Sequence, residues 1–322
     1  MAHRFPFPMP FGWFCVSLAS GLAAGDVRSV HYFDRDLVLW RDEVGTAHLQ
    51  DAYCAHLGAH LGVGGTVEGE CLRCPFHGWL WNADGRCTEI PYSKRVNRKA
   101  RLRTYPLVER NRLLMAWYHP HDAPPTHDVP EVAECSDPEY GEFRSSDYVV
   151  KSAIQEMAEN AVDPAHFQAV HGHPQTGEID EYRLDGVHQV MLSKQKFPTS
   201  RGPIDARIDV YKTGAGFAVT RYQGLIDAAL IGCSTPIDDE TVHLRFNFTL
   251  RNPEADERTQ RIADAFVKEV NRQLGQDIPI WENKVYRPIP ALADTDGPII
   301  EFRKWFAQFY VDDSSETQAV DA

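Results

Sequence analysis

Cys54-Ala55-His56 and, after seventeen intervening residues, Cys74-Pro75-Phe76-His77 each pair one thiol with one imidazole. Two such loops can give two sulfurs to one iron and two nitrogens to another, the ligand division of a Rieske [2Fe-2S] centre. Imidazoles are neutral where thiolates are charged, so the potential rises and the cluster accepts electrons from a ferredoxin-type donor. The competing use of Cys54, His56, Cys74 and His77 is one tetrahedral structural zinc. Zinc-finger spacing pairs like with like, whereas each loop here mixes the two, and the mixing favours iron-sulfur. Cys71 forms C-x-x-C with Cys74, but counting it as a ligand leaves His77 surplus, so it is expected to pack nearby. His60 is read as a surface or supporting group. Cys15, Cys87, Cys135 and Cys233 have no partner at metal spacing and are expected to be buried. Gly58, Gly62, Gly64, Gly65, Gly78 and Gly85 crowd the same stretch, where backbone must come close to the sulfides.

A second group lies in Glu159-Asn160-Ala161-Val162-Asp163-Pro164-Ala165-His166, continuing to His171 as D-x-x-H-x4-H. Two histidines and a carboxylate make the facial triad that holds ferrous iron with positions open to O2. On a straight helix His166 lies about 7.5 Å along the axis from His171 and about 10.5 Å from His173. Two nitrogens on one iron lie within ~4 Å of each other. The shorter gap needs only a loosened last turn, which Gly172 and Pro174 supply. His166 and His171 are therefore the expected metal ligands, and His173 is not. For the third ligand Glu269, Asp277, Glu282 and Asp294 all stand open. Asp277 is favoured because it is expected to follow an amphipathic helix at the point where Pro279 breaks it. Asp163 can hydrogen-bond His166 and fix its tautomer, or else act as a local cap before Pro164. Asn160 and Asp163 are taken as the candidate catalytic residues.

The elements that must hold these groups fall into two halves. From Val27 to about His119 short strands and turns alternate, with a hairpin at Leu37–Leu49 and a later strand at Arg112–Tyr118. Four prolines between Pro120 and Pro130 can continue neither a ladder nor a helix, which places a domain boundary there. The expected division is residues 1–125 and 126–322. In the second half Tyr148–Ala153 reads as a strand and Ile154 to about His171 as one helix. Strands are expected at Arg207–Tyr211, Gly216–Leu225 and Thr241–Leu250, the last alternating as a sheet wet on one side. Ile262, Phe266, Val270 and Leu274 form a helical stripe between Asp256 and Trp281, and Pro298–Tyr310 reads as a closing amphipathic helix. The fold class is α+β, an all-β first half followed by an α+β half with an antiparallel sheet and iron-bearing helices.

The chain has 322 residues, enough to bury a core without disulfide staples. A net charge of −13 disfavours a nucleic-acid partner, since phosphate binding needs a concentrated basic face. Seven cysteines are too few, and odd in number, for the disulfide framework of a small secreted domain, so a cytoplasmic setting is expected. Phe11–Gly25 is uncharged but too short to span a bilayer, and Pro6, Pro8 and Pro10 precede it, so no membrane span is expected.

Cys54-Ala55-His56-Leu57-Gly58-Ala59-His60, Cys74-Pro75-Phe76-His77-Gly78-Trp79 and Ile90-Pro91-Tyr92 resemble the N-terminal domain of Rieske non-haem iron oxygenases. Within that family they are most similar to the steroid-acting branch, the 3-ketosteroid 9-alpha-hydroxylases and cholesterol 7-desaturases. Asp277-Ile278-Pro279-Ile280-Trp281-Glu282-Asn283-Lys284 resembles the segment whose aspartate completes the iron triad, and Phe302–Tyr310 resembles the family's C-terminal helix. The resemblance implies a [2Fe-2S] cluster, mononuclear Fe(II) and a terminal oxygenase that hydroxylates or desaturates a steroid- or sterol-like molecule with O2. It also implies a homotrimer arranged head to tail, in which Asp163 links His166 to His77 of the neighbouring subunit. No glycine fingerprint for a dinucleotide follows an expected strand, so a ferredoxin or flavin-dependent reductase must supply the electrons. The rival readings are an oxygenase for another polycyclic or aromatic substrate, a Rieske electron carrier whose second half only binds a partner, and a zinc-stabilised binding protein.

Overall fold

Short apolar runs between tight turns give the unit Trp13–Val129 a purely β architecture. Its strands are β1 (Gly12–Leu18), β2 (Val27–Tyr32), β3 (Arg35–Arg41), β4 (Ala47–Asp51), β5 (Thr66–Glu68), β6 (Cys71–Arg73), β7 (Leu80–Asn82), β8 (Cys87–Glu89), β9 (Thr104–Tyr105), β10 (Leu107–Arg110) and β11 (Leu113–Tyr118). They form three sheets, in the orders β1-β11-β10, β2-β3-β4-β9 and β5-β6-β7-β8. The computed structural model describes residues 4–175, 177–197, 202–224, 226–251 and 256–311. Trp40, Trp81, Leu61 and Leu72 pack in one apolar cluster with Cys54 and Cys74, so the metal loops are rooted in a core rather than laid on a surface.

The second unit takes in residues 4–12 as well as 130–311. The N-terminal segment thus departs from a boundary drawn only at the proline-rich stretch. Arg4 explains it: its guanidinium donates to the backbone carbonyls of Lys151, Trp281 and Glu282, and Phe7 stacks on Tyr310. The unit is built on one antiparallel sheet of β12 (Arg144–Val150), β13 (Glu178–Asp185), β14 (His188–Phe197), β15 (Ile204–Thr213), β16 (Phe217–Gln223), β17 (Ala228–Asp238) and β18 (Thr241–Leu250). Its order, β12-β18-β17-β16-β15-β14-β13, is a six-strand meander with β12 added beside β18. The helices are α1 (Ile154–Ala158), α2 (Ala165–Ala169), α3 (Glu257–Asn283) and α4 (Ile299–Phe306). Ala263, Phe266, Val267 and Val270 of α3 pack on Tyr222, Ala228, Leu230, Phe248 and Leu250, which share one face of the sheet.

Three expectations need correction. The stretch Ile154–His171 is not one helix: α1 passes into a 3-10 turn at Glu159–Val162, extended backbone at Asp163 interrupts it, and α2 is a separate short helix. Arg303 of α4 forks onto both carboxylate oxygens of Glu159, at 2.8 and 3.0 Å, and so pins this break. Secondly, Pro279 does not end α3, which runs on to Asn283. The proline removes one backbone donor, but buried Leu274 and Trp281 hold the turns on either side, and Lys284 N–H still bonds the Ile280 carbonyl at 2.9 Å. Thirdly, β18 is not wet on its polar face towards its end. Asn247 and Thr249 are fully buried there, because Asn247 bonds Ser145 and the Ile231 carbonyl while Thr249 donates to the Gly141 carbonyl. β14 ends at Phe197, and residues 198–201 lie outside the described residues.

Candidate metal centres

The two N-terminal loops have the same construction. Cys54 N–H donates to the Ala59 carbonyl and Gly58 N–H to the Cys54 carbonyl, each at 2.9 Å. Cys74 N–H donates to the Trp79 carbonyl at 2.8 Å and Gly78 N–H to the Cys74 carbonyl at 3.1 Å. In both loops the residue four places after the cysteine is a glycine in the left-handed region, with φ 74° at Gly58 and 71° at Gly78, a conformation that costs other residues a Cβ clash. The histidine falls inside each turn, two residues after one cysteine and three after the other. The rings of His56 and His77 come together at 4.8 Å between centroids, and His56 stacks on Trp79 at 4.4 Å.

The residues fit an iron-sulfur cluster. His77 Nδ1 is buried without a hydrogen-bond partner, a costly state for a ring nitrogen that a metal bond relieves. Burial, together with the neighbouring Cys74 thiol, pushes the Cys54 thiol up; a metal reverses that balance, because a coordinating thiol gives up its proton. Cys71 packs away from this pair, with its sulfur 3.6 Å from the Thr88 hydroxyl, and His60 Nδ1 accepts from Gly62 N–H. Cys15, Cys87, Cys135 and Cys233 are buried.

In the second unit the break between α1 and α2 and the C-terminal half of α3 bring His166, His171 and Asp277 together. One ligand atom from each lies within 4.8 Å of the others, and among the described residues this is the group of such side chains with metal-binding proximity. His171 lies beyond the end of α2, and Gly172, with φ 73°, turns the chain there, so the separation expected on a straight helix does not arise. The His166 and His171 rings stand 5.1 Å apart, and His171 Nε2 is 3.4 Å from the Asp277 carboxylate. Asp277 sits inside α3, on the buried stripe of Val270, Leu274 and Trp281, where the four- and three-residue spacings put it on the same face. Of the other carboxylates, Glu269 is bound to Arg272, and Glu282 accepts from Lys151 N–H.

Both histidines are held in one tautomer. His166 Nδ1 donates to the backbone carbonyl of Asp163, and His171 Nδ1 donates to the side-chain carbonyl of Gln276 at 3.1 Å. A carbonyl only accepts, so Nδ1 carries the proton and Nε2 keeps its lone pair for a metal. This corrects the role given to the Asp163 side chain. Its carboxylate stays 4.0 Å from His166 and instead accepts from Ala165 N–H, so the main chain orients the ring while the side chain closes a local turn before α2. Gln276 was missed because nothing marks a glutamine beside Asp277 as a partner of His171 until α3 crosses the break. Asn160 lines the cavity beside the triad, and its carbonyl oxygen accepts from the Trp281 indole at 3.2 Å. It therefore ties the 3-10 turn to α3.

Burial pushes the His166 imidazole down, against the pull of Asp277 and the Asp163 carbonyl. Burial acts the same way on His171, but Asp277 and then Gln276 outweigh it and hold that ring up. His173 is buried outside the triad, and burial with the two neighbouring histidines pushes it down to about 4. Above the triad lies a mostly apolar cavity between α3 and the sheet, lined by Val210, Leu230, Phe246, Leu274 and Trp281, with room left by Ala218 and Gly232.

Comparison with known proteins places both halves. Residues 12–106 match the model of the Rieske [2Fe-2S] domain, and residues 116–310 match that of the 3-ketosteroid 9alpha-hydroxylase C-terminal domain. The chain is 31% identical to an oxygenase component of 3-ketosteroid-9-alpha-monooxygenase from Rhodococcus rhodochrous, over 94% of this chain and 84% of that one. It is 30% identical to cholesterol 7-desaturase of Caenorhabditis elegans, over 96% of this chain and 78% of that one. The crystal structure of dicamba monooxygenase with non-haem iron and dicamba shares the fold, with a TM-score of 0.67 and 20% identity over 97% of this chain and 98% of that chain.

Proposed function

The chain belongs to the Rieske non-haem iron oxygenases of the 3-ketosteroid 9-alpha-hydroxylase type, and on that premise we propose that it is a terminal oxygenase that hydroxylates or desaturates a steroid- or sterol-like molecule. The observation that carries this reading is the His166, His171 and Asp277 triad at the edge of an apolar cavity, in a chain that also holds the Cys54, His56, Cys74 and His77 loops. Cys54 and Cys74 would bind one iron of the [2Fe-2S] cluster and His56 and His77 the other, while His166, His171 and Asp277 would hold Fe(II). When bound, the cluster supplies electrons one at a time and the ferrous ion supplies the O2 chemistry that attacks an unactivated C–H bond.

The protein's own part is orientation and exclusion of water. The Asp163 and Gln276 carbonyls keep both Nε2 atoms facing the metal position. Leu230, Phe246 and Trp281 present an apolar wall to a fused-ring body. The chains assemble head to tail as a trimer in this reading: one Asp163 oxygen accepts from Ala165 N–H, the side chain remains about one-third exposed, and the carboxylate is available to His77 of a neighbouring subunit. Electrons come from a separate ferredoxin or flavin-dependent reductase, and the setting is cytoplasmic. Among the described residues no helix is long and apolar enough to cross a membrane.

The test is anaerobic reduction of the iron-loaded protein, addition of O2 and a panel of 3-keto steroids and sterols, and product analysis. The expected result is a hydroxylated or desaturated steroid formed with O2 uptake. A protein that carries both iron centres but gives neither product nor O2 uptake overturns the reading.

A further inference from the structure

Among the described residues that line the catalytic cavity Lys212 is the one lysine, and none is an arginine. It lies on β15 on the same face as Ile208 and Val210, both of which also line the cavity, and it is only 8% exposed. No acidic side chain pairs with it among the described residues, and burial alone pushes its amine down to about 8, so the ammonium still predominates at neutral pH. The ionisable groups that line the cavity with it are Tyr222, a phenol that burial keeps protonated, and His166, His171 and Asp277, the proposed metal set. Directly across the sheet from Lys212 stand Ala218 on β16 and Gln189 on β14. Gln189 is fully buried, and neither its amide nitrogen nor its carbonyl oxygen has a hydrogen-bond partner. Facing residues of neighbouring strands lie within reach of each other, so an unpaired cation and an unpaired amide sit side by side.

An unpaired ammonium in an apolar wall is costly, and evolution or chance could have avoided it with a leucine or methionine of similar bulk. An anionic group brought in by a ligand removes that cost, and a hydrogen bond between two charged partners is the strongest that such a wall can offer. We infer that Lys212, with the unpartnered Gln189 amide facing it on the next strand, binds a carboxylate carried by an apolar fused-ring substrate in this cavity. The inference rests on the oxygenase reading and narrows it, since it assigns the substrate to the steroid acids rather than the neutral steroids.

The experiment compares a 3-keto steroid carrying a ring-D carboxylic acid with the same compound as its methyl ester, by calorimetric titration of the iron-loaded protein at neutral pH. The acid is expected to bind on the order of 10- to 100-fold more tightly than the ester. Lys212→Met should bring the acid's affinity down to that of the ester. Equal affinities in the unaltered protein, or a preference for the acid that survives Lys212→Met, overturn the assignment, and the first of these needs no variant to fold. Product analysis separates the two readings. Turnover without preference for the acid removes the role of Lys212 and leaves the oxygenase; tighter binding of the acid without any turnover leaves Lys212 as an anchor and removes the oxygenase.

Discussion

In the N-terminal unit the proposed ligands lie between Cys54 and His77, on two loops with the same internal hydrogen bonds and a left-handed glycine at the same place. In the second unit His171 meets a helix 105 positions further along the chain, through Gln276 and its neighbour Asp277. The first centre is thus made by local turn geometry repeated twice, and the second by packing α3 across a break in another helix. Local construction concentrates the determinants of a site in a few adjacent residues. Convergence from distant segments spreads them over whatever fixes the two segments against each other, such as the Asn160–Trp281 hydrogen bond.

The largest effect should come from Asp277→Ala. It is expected to lower product formation by more than about a hundredfold and to abolish mononuclear iron binding, while the visible spectrum of the cluster persists. Loss of the cluster spectrum along with the lone iron would break the division into two independent sites. Next comes Gln276→Leu, which leaves all three proposed ligands in place but frees the His171 ring. Ferrous-ion titration should show binding weaker by roughly 10- to 100-fold, with recovery in Gln276→Glu, which restores an acceptor. An unchanged titration would mean that the position of His171 does not depend on α3.

A pH experiment probes the packing of the catalytic unit away from its metal. Arg221 forks onto Glu134 at 2.5 and 3.0 Å, and although burial opposes it, this bond holds the Glu134 carboxyl below its ordinary value. A carboxyl lowered by folding adds stability above its unfolded pKa and loses it as pH falls through the folded one. Arg221→Met should therefore cost about 2 kcal/mol at neutral pH, measured by urea unfolding, and the gap to the unaltered protein should close in acid below the usual carboxylate range. A gap that stays constant with pH would assign the loss to packing instead. The smallest effect belongs to the loops. Gly58→Ala, with nothing within 4 Å of the added carbon but a positive φ, should cost about 1 kcal/mol. Gly78→Ala should cost more, since its carbon also meets Arg73 at 3.1 Å and Pro91 at 3.2 Å. Thermal loss of the cluster's visible absorbance reads both, and equal midpoints for the two variants would show that crowding at Gly78 is absorbed without strain.

Residue type and short-range spacing determined a good deal about this protein. Thiol and imidazole in one turn specify their own geometry, so the C-x-H and C-x-x-H loops were legible without a fold. So were the hairpin that became β3 and β4 and the apolar stripe of α3, because period and turn chemistry act over a few residues. Pro164 gives Asp163 a local reason to leave the helical region, because the proline ring clashes with a helical residue before it. The tertiary structure decided how the two pieces are set, since Arg303 from the far end of the chain holds Glu159 in the turn that ends α1. It also decided that α3 continues past Pro279. One lost backbone bond is outweighed by burying Leu274 and Trp281, and that places Asp277 within a helix face rather than after its end. The carbonyls that fix His166 and His171, and the uncompensated Lys212 in the cavity wall, carry no sequence signal of their own. Their chemistry comes from what lies opposite, and only the folded chain chooses that.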